Sequence, residues 1–233
     1  MYLSQLTLNP LNRQVQSELA DPYQMHRTLT TRCFASQAIQ AQHNTARTAA
    51  DDAPDLLFRL DVDTRSTQLL LLAQSQIKPV WDDLPVGYAL EVRGPKDFDP
   101  ASKLSTGQTY GFRLRANPTK RLSAGHAGVK KDGPRVPLKT EQEQQDWLTR
   151  KSMIHGFKLL RAEISQKDDL HGRKDGYAMR WKSICFTGVL QVTDPAALTL
   201  AIQSGIGTAK GMGFGLLSLA PMSPVNLTGL KDL

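Results

Sequence analysis

A tyrosine and a histidine stand three residues apart in Asp21-Pro22-Tyr23-Gln24-Met25-His26-Arg27. If this stretch is helical, residues at that spacing are neighbours on one surface. One turn then offers a proton-transfer group in His26, a second hydroxyl donor in Tyr23 and a fixed cation in Arg27. A lone histidine is more often an ordinary surface residue. What argues for chemistry is the three side chains together, and the local sequence specifies the helix that would carry them. Asp21 is a good N-cap, Pro22 fits the first helical position, where no donor is needed, and Gln24 is placed to return a capping-box contact. At about 100° per residue, Met25, Leu29, Arg32 and Cys33 fall within one arc, and Tyr23, His26, Arg27 and Thr30 lie on neighbouring and opposite arcs. The core is expected on the first side and the chemistry on the second.

The elements around this helix form a repeating pattern. Tyr2 to Leu8 has strand character and ends at Asn9-Pro10. A polar helical stretch and the Asp21 helix follow, then Gln37 to Pro54, a polar run without apolar period that reads as a loop. Leu56 to Val62 and Thr67 to Ile77 read as a hairpin. After a short turn-rich piece, Tyr88 to Val92 forms a further strand, giving the order β-α-β-β-(α)-β. The Pro-rich, polar passage from Gly94 to Ser105 reads as the join between two domains. The pattern then starts again, with a strand at Thr109 to Ala116 and a helix at Glu141 to Met153 behind a Thr140/Glu143 capping box. A long hairpin of Phe157 to Ile164 with Tyr177 to Val192 comes next. A helix at Asp194 to Gln203, opened by Asp194-Pro195, and a strand at Leu216 to Leu219 complete the unit. The expected class is α+β, with two tandem ferredoxin-like domains of β-α-β-β-α-β order over residues 1–94 and 106–233.

Charge is distributed unevenly. The net charge over 233 residues is +7, yet residues 102–182 hold 18 Lys and Arg against 8 Asp and Glu. The rest of the chain holds 11 against 14. A basic segment on a near-neutral remainder is the footprint of a nucleic-acid surface, because phosphate contacts dominate such affinity. A merely soluble basic face is the competing reading. In Tyr110-Gly111-Phe112-Arg113-Leu114-Arg115 the period of two puts Tyr110, Phe112 and Leu114 on one sheet face and Arg113 with Arg115 on the other. Lys120 and Arg121 extend the charge onto a loop, and Lys130, Lys131, Arg135 and Lys139 follow. Arg173 and Lys174 sit at the turn of the long hairpin beside Asp175-Gly176, with Arg180 and Lys182 alternating on the next strand. A basic hairpin suits a duplex, chiefly through backbone contacts if the duplex is A-form RNA.

Five glycines fall within Gly205 to Gly215. A nucleotide-binding reading fails on context: phosphate loops run from strand into helix, whereas this one leaves a helix and enters a strand. Gly207 and Gly211 instead read as letting backbone amides approach another backbone closely, with Lys210 adding charge where phosphates would run. A purely structural tight loop is the alternative. No acidic or Cys/His cluster has metal-ligand spacing, and no cofactor is expected. Cys33 and Cys185 are far apart and read as reduced, semi-buried thiols. Met1-Tyr2-Leu3-Ser4-Gln5 lacks the build of a signal peptide, and no apolar run of membrane-spanning length occurs. A soluble, cytoplasmic protein without a membrane partner is expected, monomeric when isolated.

Leu6-Thr7-Leu8-Asn9-Pro10, the Asp21 to Arg27 helix start, Phe112 to Arg121 and the Gly205 to Leu217 loop occur together and in this order. This set closely resembles CasE, the family of CRISPR repeat-processing endoribonucleases of type I-E Cascade systems. The resemblance spans nearly the whole chain and is weakest near residues 37–54 and after Pro221. It implies two ferredoxin-like domains, a repeat hairpin held on a basic face, and metal-free cleavage at the 3′ side of its stem. It also implies that the mature crRNA is kept and that other Cascade subunits are partners. Tyr23 and His26 match the family's catalytic pair, Arg173-Lys174 its basic hairpin, and Gly207 to Gly215 its glycine-rich loop. The RNA's own 2′-hydroxyl would then attack phosphorus, leaving a 2′,3′-cyclic phosphate and a 5′-hydroxyl. A non-catalytic RNA-binding module and a structural Cascade subunit with a degenerate site are the competing readings. The first would show exposed aromatics, and aromatic content is only 6%. Intact Tyr23 and His26 argue against the second.

Overall fold

A computed structural model describes residues 1–34, 56–63, 66–122, 133–174 and 177–222. The expected loop at 37–54, Lys130-Lys131 and the Asp175-Gly176 turn lie outside the described residues.

The N-terminal unit comprises β1 (Tyr2–Leu8), α1 (Arg13–Ala20), α2 (Pro22–Cys33), β2 (Leu56–Val62), β3 (Leu69–Ser75) and β4 (Ala89–Asp97). Its antiparallel sheet has the order β2-β3-β1-β4. The C-terminal unit comprises β5 (Thr109–Ala116), β6 (Thr119–Arg121), β7 (Arg135–Pro137), α3 (Glu141–Ile154), β8 (Phe157–Lys174), β9 (Tyr177–Val192), α4 (Pro195–Ser204) and β10 (Leu217–Pro221). Its main sheet has the order β10-β5-β9-β8, the same ferredoxin-like arrangement repeated. In the first unit the second helix is reduced to a 3₁₀ turn, Trp81–Asp83.

Strand alternation decides which face of each sheet its helices cover. Leu6, Leu8, Leu56, Phe58, Leu71 and Ala73 meet Met25, Leu29 and Cys33 of α2 in the first core. Phe112, Leu114, Phe186 and Leu190 meet Trp147 and Leu148 of α3 and Leu198 of α4 in the second. Both cysteines are fully buried rather than half-buried, and both are free thiols. Helix starts follow their caps. The Thr140/Glu143 capping box forms in both directions at 3.2 Å, and Asp194 accepts from the amides of Ala196 and Ala197 at 2.9 and 3.1 Å.

Three extents differ from expectation. β4 runs on through Gly94-Pro95 to Asp97, pairing Lys96 with Leu3 and Asp97 with Tyr2, so the join between units begins only after Asp97. Gly94 makes this possible with φ +98°, since a Cβ there would fall 2.6 Å from the Leu3 carbonyl oxygen. β8 continues ten residues past Ile164, pairing with β9 after a register shift at Ser165 from Gln166↔Cys185 to Lys174↔Tyr177. Together they project a long two-stranded arm. Lys120 and Arg121 belong not to a loop but to a short ribbon, β6–β7, in which Arg121 faces Arg135 directly.

The two units are bonded to each other. Gln74 Nε2 donates to the Ile202 carbonyl at 2.7 Å, in a buried position. Arg59, almost wholly buried, donates to Asp61 at 2.7 Å and then across the junction to the Arg113 carbonyl at 3.2 Å and Ser218 Oγ at 2.8 Å.

Candidate active site

α2 is held from both ends of its sequence neighbourhood. Asp21 caps it, accepting from the Tyr23 amide at 3.1 Å. The reciprocal bond from Gln24 does not form among the described residues. α1 packs beside it through Glu18, a buried carboxylate that accepts from Thr28 at 2.5 Å, Gln14 at 2.8 Å and the Tyr88 hydroxyl at 2.6 Å. Burial, with Glu18 beside it, pushes the Tyr88 hydroxyl far above its ordinary pKa, so it stays protonated and donating. Glu18 was not legible as important, because its three donors come from different elements.

With α2 fixed, Met25, Leu29 and Cys33 enter the core, Tyr23 and His26 are half-buried, and Arg27 is exposed. The His26 ring lies parallel to Phe58 of β2, with centroids 6.4 Å apart and planes 14° apart. The glycine-rich loop approaches that ring. A Cβ on Gly211 would come within 3.2 Å of His26 Nε2 and 3.3 Å of Cε1. Gly213, at φ +79°, takes a left-handed conformation against the Phe58 ring. Gly207 likewise turns at φ +96° against Trp147 of α3, and Thr208 Oγ1 donates to the Asn117 carbonyl at 3.2 Å. Gly207, Gly211 and Gly213 thus stand against side-chain rings rather than against another backbone, and they bring the loop to the histidine.

Lys210 stands on the 3₁₀ turn Lys210–Met212, beside Gly211. Burial, with the charges of Lys151 and then Lys210 adding to it, lowers the pKa of His155. A second cationic group therefore gathers on α3 next to the loop: Lys151 stacks 5.9 Å over the Trp147 ring and is itself lowered by burial, Arg135 and Arg150. Among the described residues, no group of three or more His, Cys, Asp or Glu has the arrangement of a metal site.

The arm reaches α2 from the other unit. Asp21 Oδ2 accepts from the Arg173 amide at 3.2 Å, 152 positions along the chain. Arg173 and Arg180 are exposed on the arm, while Lys182 pairs with Asp169 at 2.8 Å. Lys174 is paired through its backbone with Tyr177. The first turns of α2, carrying Tyr23, His26 and Arg27, are thus met by Gly211 against the His26 ring and by the Arg173 backbone at the Asp21 cap.

Two expected phosphate contacts have another position. Arg113 and Arg115 leave the open surface, because the face of β5 that carries them is covered by the N-terminal unit. Arg113 pairs with Asp61 at 3.1 Å. Arg115 donates to the Leu60 carbonyl at 3.0 Å and lies 3.7 Å from Asp168, and burial lowers its pKa. Lys120 is exposed but engaged by Glu143 at 2.9 Å, which ties the ribbon to the start of α3.

Taken together, the fold and site define a protein of two tandem ferredoxin-like units with a histidine on the first helix pair, facing a glycine-rich loop and a basic arm from the second unit. The chain belongs to the CRISPR associated protein family, which it matches over residues 1–221. It is 37% identical over 235 residues to the CRISPR-associated endoribonuclease Cse3 of Thermus thermophilus, covering 95% of this chain and 100% of that one. The CRISPR system Cascade subunit CasE of Escherichia coli K12 is 33% identical over 184 residues, covering 74% of this chain and 84% of CasE. The structure of Cse3 bound to a 19-nucleotide RNA superimposes with a TM-score of 0.78 at 36% identity, covering 95% of this chain and 100% of that one. The similarity foreseen from the helix start, the β5 segment and the glycine loop therefore holds.

Proposed function

We propose that this chain is a metal-independent endoribonuclease that cleaves CRISPR precursor RNA at the 3′ side of the repeat hairpin and retains the product. The observation that carries the reading is the setting of His26: half-buried on α2, against Gly211, where a basic arm from the second unit meets the same helix. The relatives named as endoribonucleases, one of them bound to RNA, support it.

The 2′-hydroxyl of the scissile nucleotide attacks the adjacent phosphorus, a P–O bond forms, and the bond to the 5′ oxygen breaks. His26 transfers a proton at the attacking or the leaving oxygen, and the products are a 2′,3′-cyclic phosphate and a 5′-hydroxyl. General acid-base transfer of this kind contributes about 10²- to 10⁴-fold. Tyr23 orients the nucleophile or donates to the phosphate. Arg27, Arg173, Lys174, Arg180 and Lys210 hold the RNA backbone, and no cofactor takes part. The partners are the repeat hairpin, the mature crRNA and other Cascade subunits, a placement supported by the relative named as a Cascade subunit. The setting is the cytoplasm.

The test is cleavage of the host's repeat hairpin in excess EDTA by wild type and His26→Ala, with binding followed in parallel. Cleavage by the wild type that is lost in the variant at unchanged affinity sustains the proposal. Tight binding without cleavage by the wild type would replace it with an RNA-binding module. A hairpin lacking the scissile 2′-hydroxyl should bind and remain intact, and its cleavage would sink the mechanism.

A further inference from the structure

We infer that Asp21 is a positioning residue that couples the hairpin arm to the helix bearing Tyr23 and His26. The inference rests on the nuclease reading above.

Both oxygens of the Asp21 carboxylate are engaged, and they serve different units. Oδ1 accepts from the Tyr23 amide at 3.1 Å and starts α2. Oδ2 accepts from the Arg173 amide at 3.2 Å, near the far end of β8. The approach is close enough to require glycine before Arg173: a Cβ on Gly172 would fall 2.7 Å from Asp21 Oδ1 and 2.9 Å from the Trp181 ring. The arm is therefore built to meet this carboxylate, with Trp181 and Asp21 closing on the same glycine.

An N-cap alone needs only one of these bonds. The second holds the arm, whose exposed Arg173 is offered to RNA, to a helix on which Tyr23 follows two residues later and His26 five. Both bonds are of ordinary length, and the helix N-terminus favours a carboxylate at this position. RNA gripped by the arm is then registered against His26 through one carboxylate. Loss of this registration should slow the chemical step while leaving the RNA-binding side chains in place.

Asparagine separates this role from simple capping. Asn and Asp are equal as N-caps, but an amide has one acceptor oxygen and presents donors in place of the other. Because the two amides approach different oxygens, Asp21→Asn with its oxygen capping α2 turns an NH₂ donor toward the Arg173 amide. The experiment uses the full chain and compares wild type, Asp21→Asn, Gly172→Ala and the double variant. It measures single-turnover cleavage of the repeat hairpin, Kd for the 2′-deoxy hairpin, and thermal midpoint. Because misplacement of about 1 Å can cost about 10²-fold, Asp21→Asn is expected to cleave at least about 10-fold more slowly, with Kd within about 2-fold and the midpoint lowered by no more than about 4 °C, as the loss of one hydrogen bond allows. Gly172→Ala should slow cleavage too, and the double variant should be no slower than the worse single, because both act on one contact. Wild-type cleavage by Asp21→Asn, a rate loss matched by weaker binding or by a midpoint lowered well beyond about 4 °C, or fully additive effects would overturn the coupling. A wild type that does not cleave overturns the nuclease reading and the coupling with it. That result is distinct from failure of the coupling alone, in which wild type and Asp21→Asn cleave equally.

Discussion

Arg113 Nη2 lies 3.1 Å from Asp61 Oδ1 across the junction of the two units, with both side chains about four-fifths buried. The same carboxylate accepts from Arg59, so one acid organises two arginines from different sheets. Removing one member of such a cluster leaves the others underpaired. Arg113→Ala should therefore destabilise the protein by about 1–3 kcal/mol in urea unfolding. Its effect on RNA should be indirect, leaving the dependence of log Kd on log salt unchanged. A reduced slope at undiminished stability would return Arg113 to the RNA surface.

The exposed arm predicts the opposite pattern. Arg173 projects from β8 while its backbone amide is held by Asp21. Arg173→Ala should lower the salt slope by roughly 0.7 to 0.9 for each phosphate that the side chain neutralises, with no change in unfolding midpoint. Binding titrations from low to moderate salt would check it, and an unchanged slope would remove Arg173 from the interface.

At the start of α3, Glu143 accepts from Lys120 at 2.9 Å and from the amides of Lys139 and Thr140. These bonds, Lys120 first, lower its pKa from 4.5 to about 2. The folded protein therefore binds this proton less readily than the unfolded chain. The contribution to stability is complete above the unfolded value and is lost as pH falls through the folded one. The stability difference between wild type and Glu143→Gln should shrink between about pH 5 and pH 2, a window set by the two values. A carboxyl titration by NMR that places Glu143 at its ordinary value would contradict this.

Much of the fold was legible because it is written locally. Thr140 with Glu143 and Asp194 with Pro195 start their helices as read, since a cap needs only residues within one turn. The alternation in Tyr110 to Arg115 assigned the two faces of β5 correctly. It does not say what covers each face, and so Arg113 and Arg115 looked open when the N-terminal unit lies over them. The far half of β8 was missed because Gln166-Lys167-Asp168-Asp169 is polar on both faces. It is a strand by virtue of pairing with β9, helped by the ion pair of Lys182 with Asp169. Tyr23, His26 and the glycine loop were legible as separate motifs. Their convergence, and the bond from Arg173 to Asp21, depend on how the two units pack.

Burial, with Asp83 adding to it, pushes the Cys33 thiol up to about 12. Cys185 is also buried, on β9. Cys33 lacks the reactive thiolate form and both sulfurs are shielded by burial, so both cysteines should resist a disulfide reagent at about pH 8 in the native protein and react once it is unfolded. Rapid native labelling of either would show that its core opens locally.

Gly211 gives the most direct test of how the loop bears on the histidine. It lacks the positive φ of Gly207 and Gly213, so alanine can adopt its backbone, and the consequence of substitution is steric. The added methyl would stand 3.2 Å from His26 Nε2, close enough to displace the ring or the loop by a few tenths of an ångström. Proton transfer depends on hydrogen-bond distance at that nitrogen. Gly211→Ala should therefore slow single-turnover cleavage by about 10-fold or more, while the 2′-deoxy hairpin binds as before. Gly213→Ala meets both left-handed backbone strain and the Phe58 ring at 3.1 Å, and should lose stability as well as rate. If Gly211→Ala cleaves at the wild-type rate, the loop does not set the position of His26 in the reacting complex.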